Sequence, residues 1–476
     1  MLRFAVIPLC LALAAIAAAA QAAAGPQRQP QQQVERIFAQ WGKQTPGCVI
    51  GVAQGGKHLL TRAFGMADLE HGIANGADTV FEAGSVSKQF TAAALALLAR
   101  DGKLSLDDQV RTYLPELPDY GSALTIRQML EHTSGLRDWG ALAEIAGWPR
   151  GTRVYTQRMM LDIASAQRSL NFTPGTAWSY SNTGYSLAVL IVERVSGQSF
   201  SAFTRARIFA PLGMDHSSWR DDYSRVVPRR AVAYRPAGGG YRADMPFENV
   251  IGSGGMLTTV GDLLKWNENF VKPLVGDARF AADAQTPGVF TNGKAHDYGL
   301  GLVVGAPRGV PKVSHGGATA GYRSTLDRYP TQHLSVAVLC NAANANPGSD
   351  AAAVAQLYLA GPADGGVAAL PRPASMPPLF APDSAAGPAQ GSAELAELAG
   401  TYRSAEADAM YTVAVENGKL VARGRSGDAL PLAGEAADRF RAGPVRVLFR
   451  RDARGKVEGL SVAADRVWDL RFEKQQ

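Results

Sequence analysis

Ser85-Val86-Ser87-Lys88 places a hydroxyl and an amine three residues apart, just before an apolar stretch from Phe90 to Ala99. Residues i and i+3 share one face of a helix about one turn apart, so this amine can reach this hydroxyl. A serine at a helix N-terminus also has unpaired backbone N–H groups and the positive end of the helix dipole beside it, and both favour developing negative charge. Lysine works as a base only if its pKa falls, which burial beside apolar groups achieves. The chemistry open to the pair is nucleophilic attack by Ser85 with Lys88 as activator. For four residues alone, the plain alternative is an N-capping Ser85 above a solvated Lys88.

Two further clusters follow in the chain. Tyr180-Ser181-Asn182 comes after the turn Pro174-Gly175 and before a helical stretch. A phenol near an ammonium loses its proton more easily, which makes Tyr180 a candidate base and then acid to a leaving group. Asn182 can hydrogen-bond both a substrate amide and the lysine. His315-Gly316-Gly317-Ala318 stands before the strand-like Ser324 to Arg328, where missing side chains let a substrate backbone lie against a sheet edge. His132 reads as a structural loop residue that caps backbone. The seven histidines show no metal-ligand spacing, so no metal or cofactor is implied.

These groups need a scaffold. Cys48 to Ala53 and His58 to Phe64 flank Gly55-Gly56, a hairpin signal, so an antiparallel sheet begins here. The Phe90 to Ala99 helix has apolar residues around most of its circumference and should be buried on nearly all sides. From about Thr125 to Trp266 the chain is helix-rich, with a further helix starting at Thr259. Strands return at Tyr298 to Val304, Ser324 to Arg328 and Leu334 to Asn341, and must complete the first sheet. Gly361 to Ser392 holds seven prolines among Ala, Gly and Ser, a linker composition. Beyond it, Tyr411 to Arg423 turns on Asn417-Gly418 with period-two alternation, and Val445 to Phe449 and Leu460 to Val462 alternate similarly. The domain reading is thus a catalytic unit over 33–360, a linker over 361–392 and a small antiparallel β domain over 393–476.

Residues 1–22 read as an export signal: Arg3 precedes an apolar run that ends at Ala20-Gln21-Ala22, which suits cleavage. The expected location is periplasmic or secreted, with no membrane span after cleavage. The net charge of +6 is spread without a basic run, which excludes a nucleic-acid surface. Beyond the leader only Cys48 and Cys340 remain, too few for a disulfide framework. Buried free thiols are the favoured reading, and one bridge stays open if their two strands are neighbours.

The three clusters, in this order and roughly this spacing, resemble the serine β-lactamase and penicillin-binding-protein superfamily, nearest its class C-like branch of D-peptidases and esterases. His132-Thr-Ser-Gly-Leu136, Pro211-Leu-Gly-Met214, Gly254-Gly-Met256 and Gly321-Tyr-Arg-Ser324 resemble recurrent stretches of that branch. The resemblance implies an α/β (α+β) fold, an antiparallel sheet flanked by helices with a helical subdomain, and a separate small all-β domain appended. It implies an acyl-enzyme on Ser85, Lys88 as activator, Tyr180 as proton shuttle, Asn182, His315, Gly316 and Gly317 as substrate-binding residues, and an oxyanion hole from the backbone N–H groups of Ser85 and Ala318. Where the family has lysine and threonine, this chain has His315 and Gly316, which implies weak dependence on a substrate carboxylate. The expected substrate is an ester or a D-residue amide or peptide, small and of cell-wall type among the options. A β-lactamase or D-Ala-D-Ala carboxypeptidase remains open, as does a penicillin-sensing or scaffold protein with little turnover. The sequence assigns no oligomeric state.

Overall fold

A computed structural model describes residues 28–359 and 392–476. The leader and all but the last residue of the proline-rich segment lie outside the described residues. Cys48–Gln54 (β1) and Lys57–Phe64 (β2) form the expected hairpin, with Gly55 and Gly56 both at positive φ, where glycine carries no steric penalty. Val303–Gly305 (β3), Lys312–Thr319 (β4), Tyr322–Tyr329 (β5) and Leu334–Cys340 (β6) complete the sheet. Its order is β3-β4-β5-β6-β1-β2, antiparallel throughout, so the last strands do close onto the first.

The β1–β6 register sets Cys48 directly opposite Cys340, and the two are joined in a disulfide. That corrects the reading of two free thiols. Burial is as expected, but neighbouring strands bring the sulfurs together, which spacing along the chain does not reveal.

The helices around the sheet are α1 (Arg28–Ile37), α2 (Lys88–Arg100), α3 (Asn182–Ser196), α4 (Val260–Glu268) and α5 (Pro347–Gln356). Strand alternation decides which face each covers. Ile50, Val52, Val336 and Val338 pack with Val34 of α1, with Phe38 just past its end and with Val354 of α5. On the opposite face Gly51 admits α4: a Cβ there would come 2.9 Å from Leu264 Cδ1. Helix α2 is buried from Lys88 through Leu95 and again at Leu97 and Leu98, as its all-round apolar pattern requires.

The strand expected over Tyr298 to Val304 is corrected to a loop followed by the short β3. Gly299 and Gly301 fold tightly there: a Cβ on Gly301, whose φ is +75°, would lie 2.8 Å from the Lys88 carbonyl carbon. Close packing on the head of α2, rather than sheet pairing, sets this segment's course.

The C-terminal part is an eight-stranded closed barrel. Its strands are Gly400–Ser404 (β7), Ala409–Glu416 (β8), Lys419–Arg423 (β9), Ala429–Ala436 (β10), Arg439–Ala442 (β11), Val445–Arg451 (β12), Val457–Ala464 (β13) and Val467–Lys474 (β14). The Asn417-Gly418 turn joins β8 to β9, both residues at positive φ. Strand β14 pairs back to β7 and removes the sheet edges. Leu142 and Ile145, from the catalytic part, are buried within the barrel's apolar cluster, so the two parts share packed surface.

Candidate active site

The segment Gly84–Ser87 is a 3-10 turn that runs directly into α2, which puts Lys88 one turn below Ser85. Lys88 Nζ lies 3.1 Å from Ser85 Oγ, 2.8 Å from Asn182 Oδ1 and 2.7 Å from the Ser253 carbonyl oxygen. Its side chain is fully buried, and burial pushes the amine well below the ordinary lysine value. The Arg466 and Arg150 charges push the same way, against Asp138. A neutral amine beside a serine hydroxyl is a competent base.

Glycine makes the nucleophile's surroundings. A Cβ on Gly317 would lie 2.2 Å from the Ala83 carbonyl oxygen and 3.0 Å from Ser85 N, and one on Gly84 would lie 2.7 Å from Ala318 N. Only bare backbone lets β4 approach the Ser85 turn so closely, and the approach brings the Ser85 and Ala318 N–H groups together. Ser324 Oγ ties the two, donating to Ala83 O at 2.7 Å. Gly317 therefore serves strand-to-turn packing, whereas a Cβ on Gly316 would meet only Ser324 O at 3.7 Å. Because β3 pairs only Lys312, Val313 and Ser314, the 315–319 half of β4 has no strand on that side among the described residues.

Tyr180 and Asn182 arrive on the loop that opens α3. Asn182 N donates to Asp138 Oδ2 at 2.7 Å, which fixes the residue while its side-chain oxygen faces Lys88. His132 sits at positive φ, fully buried, with its ring 4.3 Å from the Tyr180 ring. Its Nδ1 accepts from Ser181 N at 3.1 Å and its carbonyl accepts from Ser179 N at 3.0 Å. It docks the Tyr180 loop through backbone.

Tyr180 departs from expectation. Burial raises its phenol pKa above the ordinary value of 10.0, against the Ser85 hydroxyl and the Arg466 charge, which both lower it. Lys88 Nζ is 4.7 Å from the ring centre, and an amine that sheds its proton more readily offers less charge to ionise the phenol. Tyr180 is thus poised as an acid, with its proton on, and Lys88 as the base.

His315 lies in the cleft wall but is 1% exposed. Its Nδ1 donates to the Gly316 carbonyl at 2.6 Å, and its Nε2 accepts from Tyr298 Oη at 2.8 Å. Burial lowers its pKa to about 3, with the Lys88 charge adding to the effect. A neutral imidazole with both nitrogens engaged shapes the wall, which corrects its reading as a group that hydrogen-bonds substrate.

Ser85, Tyr180, Asn182, His315, Gly317 and Ala318 line a cleft of about 620 Å³. Sequence reasoning missed part of it. Ser253 contributes its carbonyl, Arg150 reaches in while paired to Glu248 and stacked 5.2 Å over Trp139, and Asp465 and Arg466 come from the barrel. The β13–β14 turn enters the cleft and sets the Arg466 guanidinium 4.8 Å over the Tyr180 ring. The turn is held at its base. Asp138 N and Asn171 Nδ2 donate to Arg466 O at 3.3 and 3.1 Å, and Trp468 N donates to Asn171 Oδ1 at 2.8 Å. Nothing in a local motif marks such a contact.

Comparison with known proteins agrees with this arrangement. A family model described as Beta-lactamase matches residues 34–360. A penicillin-binding protein of Bacillus subtilis (strain 168) is 29% identical over 336 residues, covering 66% of this chain and 72% of its own. A D-aminopeptidase of Gluconobacter oxydans is 30% identical over 302 residues, covering 62% of this chain and 56% of its own, so the chain spans little more than half of that relative. Among solved structures, the octameric penicillin-binding protein homologue from Pyrococcus abyssi superposes with a TM-score of 0.61 at 22% identity, over 94% of this chain and 99% of that one. The likeness in fold takes in the barrel as well as the catalytic part. With the family model covering well over half its length, the chain belongs to the beta-lactamase family.

Proposed function

We propose that this protein is an exported serine hydrolase that forms an acyl-enzyme on Ser85 and cleaves an ester or amide of a D-amino-acid-containing substrate. The observation that carries the reading is Lys88 Nζ, buried 3.1 Å from Ser85 Oγ with its pKa pushed well below the ordinary lysine value. Ser85 attacks the carbonyl carbon while Lys88 takes its proton. The Ser85 and Ala318 N–H groups receive the oxyanion. Tyr180 gives its proton to the leaving atom and recovers one from Lys88, and water then releases the acyl group by the reverse sequence. The D-residue preference rests on the relatives, several of which are named D-aminopeptidases. Export rests on the 1–22 leader, and the Cys48–Cys340 disulfide suits an oxidising compartment. Among the described residues, no helix is long and apolar enough to cross a membrane.

The test is turnover of matched D- and L-aminoacyl p-nitroanilides and short-chain esters. Steady release with the D-enantiomer favoured supports the proposal. A single burst without turnover supports a sensor or scaffold instead, and preference for the L-enantiomer removes the D-residue assignment.

A further inference from the structure

The N–H groups on either side of Tyr180 end on one residue. Ser179 N donates to the His132 carbonyl at 3.0 Å, and Ser181 N donates to Nδ1 of the His132 ring at 3.1 Å. Between these anchors the Tyr180 ring lies 4.3 Å from the imidazole, centre to centre. The carbonyl anchor survives any substitution at this position, whereas the ring anchor depends on the imidazole.

Histidine is a costly choice here if packing is all it serves. Its backbone holds φ at +62°, where a side chain brings strain that glycine or asparagine escapes more easily. Because Nδ1 accepts, the neutral ring carries its proton on Nε2. That atom is buried without a hydrogen-bond partner among the described residues. The Trp178, Tyr185 and Tyr298 rings stand around the imidazole with centres 5.6, 5.4 and 4.7 Å away. A strained backbone and an unmet buried donor both cost stability, and such costs gather where function fixes the geometry. An imidazolium would turn an N–H toward Ser181 N–H and break the ring anchor. Burial holds the His132 pKa well below the ordinary 6.5, and the Lys88, His315, Arg466 and His296 charges push the same way.

We propose that His132, as a neutral imidazole with its proton on Nε2, is a positioning residue for the acid step: Nδ1 holds Ser181 so that the Tyr180 hydroxyl stays aimed at the leaving atom. The inference rests on the acyl-enzyme reading above. Its consequence is selective. Attack by Ser85 uses Lys88 and the oxyanion donors, and the hydrogen bonds of Lys88 go to Ser85, Asn182 and Ser253 rather than to His132. A leaving atom that departs without a proton is therefore indifferent to His132. One that must be protonated as its bond to the acyl carbon breaks depends on it.

The test compares kcat/KM for D-alanine p-nitrophenyl ester, whose phenolate departs unprotonated, with that for D-alanine p-nitroanilide, whose nitrogen must take a proton. His132→Phe keeps a ring among the aromatic neighbours and removes the acceptor. It should lower the anilide value by about 10²-fold or more, the usual worth of a placed general acid, and leave the ester value nearly unchanged. His132→Asn accepts the positive φ and offers an oxygen near the place of Nδ1, so it should recover most of the anilide rate. Melting temperatures verify that the variants fold. Nitrogen NMR of the histidine-labelled wild type gives a reading without mutation: at about pH 5, His132 should be neutral with its proton on Nε2. Equal losses on both substrates in a folded His132→Phe, no loss on the anilide, or a His132 that is charged or protonated on Nδ1 at that pH overturns the inference and leaves the hydrolase reading standing. A wild type that cleaves the ester alone has no acid step to serve and overturns it as well. A wild type that cleaves neither, with a Ser85 inert to fluorophosphonate, removes both.

Discussion

Lys88 is surrounded by acceptors, yet burial and two arginines act against its charge. Activity should therefore rise with pH as Lys88 gives up its proton, at a pH well below the ordinary lysine value of 10.5. The opposing limb, loss of the Tyr180 proton, lies above 10. Arg466→Met removes a positive charge that disfavours the ammonium, so Lys88 should hold its proton longer and the rising limb of kcat/KM should move to higher pH. A limb that stays or moves down contradicts the assignment of Lys88 as base. Ser85 and Lys88 were legible because one helical turn fixes their contact whatever the rest of the chain does. The protonation roles were less legible. Whether Tyr180 starts as base or acid depends on burial of the whole cluster, and no motif encodes burial.

At the scale of elements, the close approach of β4 to the Ser85 turn is the main geometric demand. A Cβ at Gly317 meets the Ala83 carbonyl oxygen at 2.2 Å, so Gly317→Ala must push the strand from the turn and displace the Ala318 N–H. The expected loss is about 10²–10³ in kcat, the usual cost of one oxyanion donor, with overall folding retained as measured by circular dichroism. Gly316→Ala, with open space for its methyl, should lose far less. The barrel latch makes a second prediction. Arg137, 1% exposed, pairs with Glu406 at 2.8 Å and holds the β14 carbonyls. Removing one partner of a buried pair strands the other, so Arg137→Met should destabilise barrel docking by about 3 kcal/mol and speed amide exchange around Trp468. The hairpins of β1–β2 and β8–β9 were readable from Gly55-Gly56 and Asn417-Gly418, because turn chemistry is local. Strands β7, β10, β11 and β14 escaped notice, since β7 and β10 are rich in small and turn-forming residues, charged residues interrupt β11 and β14, and barrel closure makes them strands. Tyr298 to Gly301 misled for the opposite reason: an apolar, strand-like run whose glycines serve a packing contact.

Over the whole molecule, two long-range links matter most. The disulfide closes a span of 292 residues and ties the first strand of the sheet to its last. Replacing Cys48 and Cys340 by alanine should lower unfolding stability by about 2–5 kcal/mol, read from denaturant titration with and without reductant, while Ser85 remains reactive at 25 °C. The other link is the barrel turn at Asp465 and Arg466, which makes the appended domain part of the cleft. Neither link could be read from spacing, because each depends on which strands or domains become neighbours in space. Both arise from ordinary register and docking once the sheet and barrel have formed. What the ordered motifs did disclose is the catalytic core they share with the family, from Ser85 to Ala318.

The central claim is that Ser85 is the nucleophile and Lys88 makes it one. Treatment with a fluorophosphonate, followed by peptide mass spectrometry, tests it most directly. Wild type should give a single adduct on Ser85, Ser85→Ala none, and Lys88→Ala at least about a hundredfold slower labelling at neutral pH. An adduct that persists in Ser85→Ala, or labelling that is indifferent to Lys88, contradicts it.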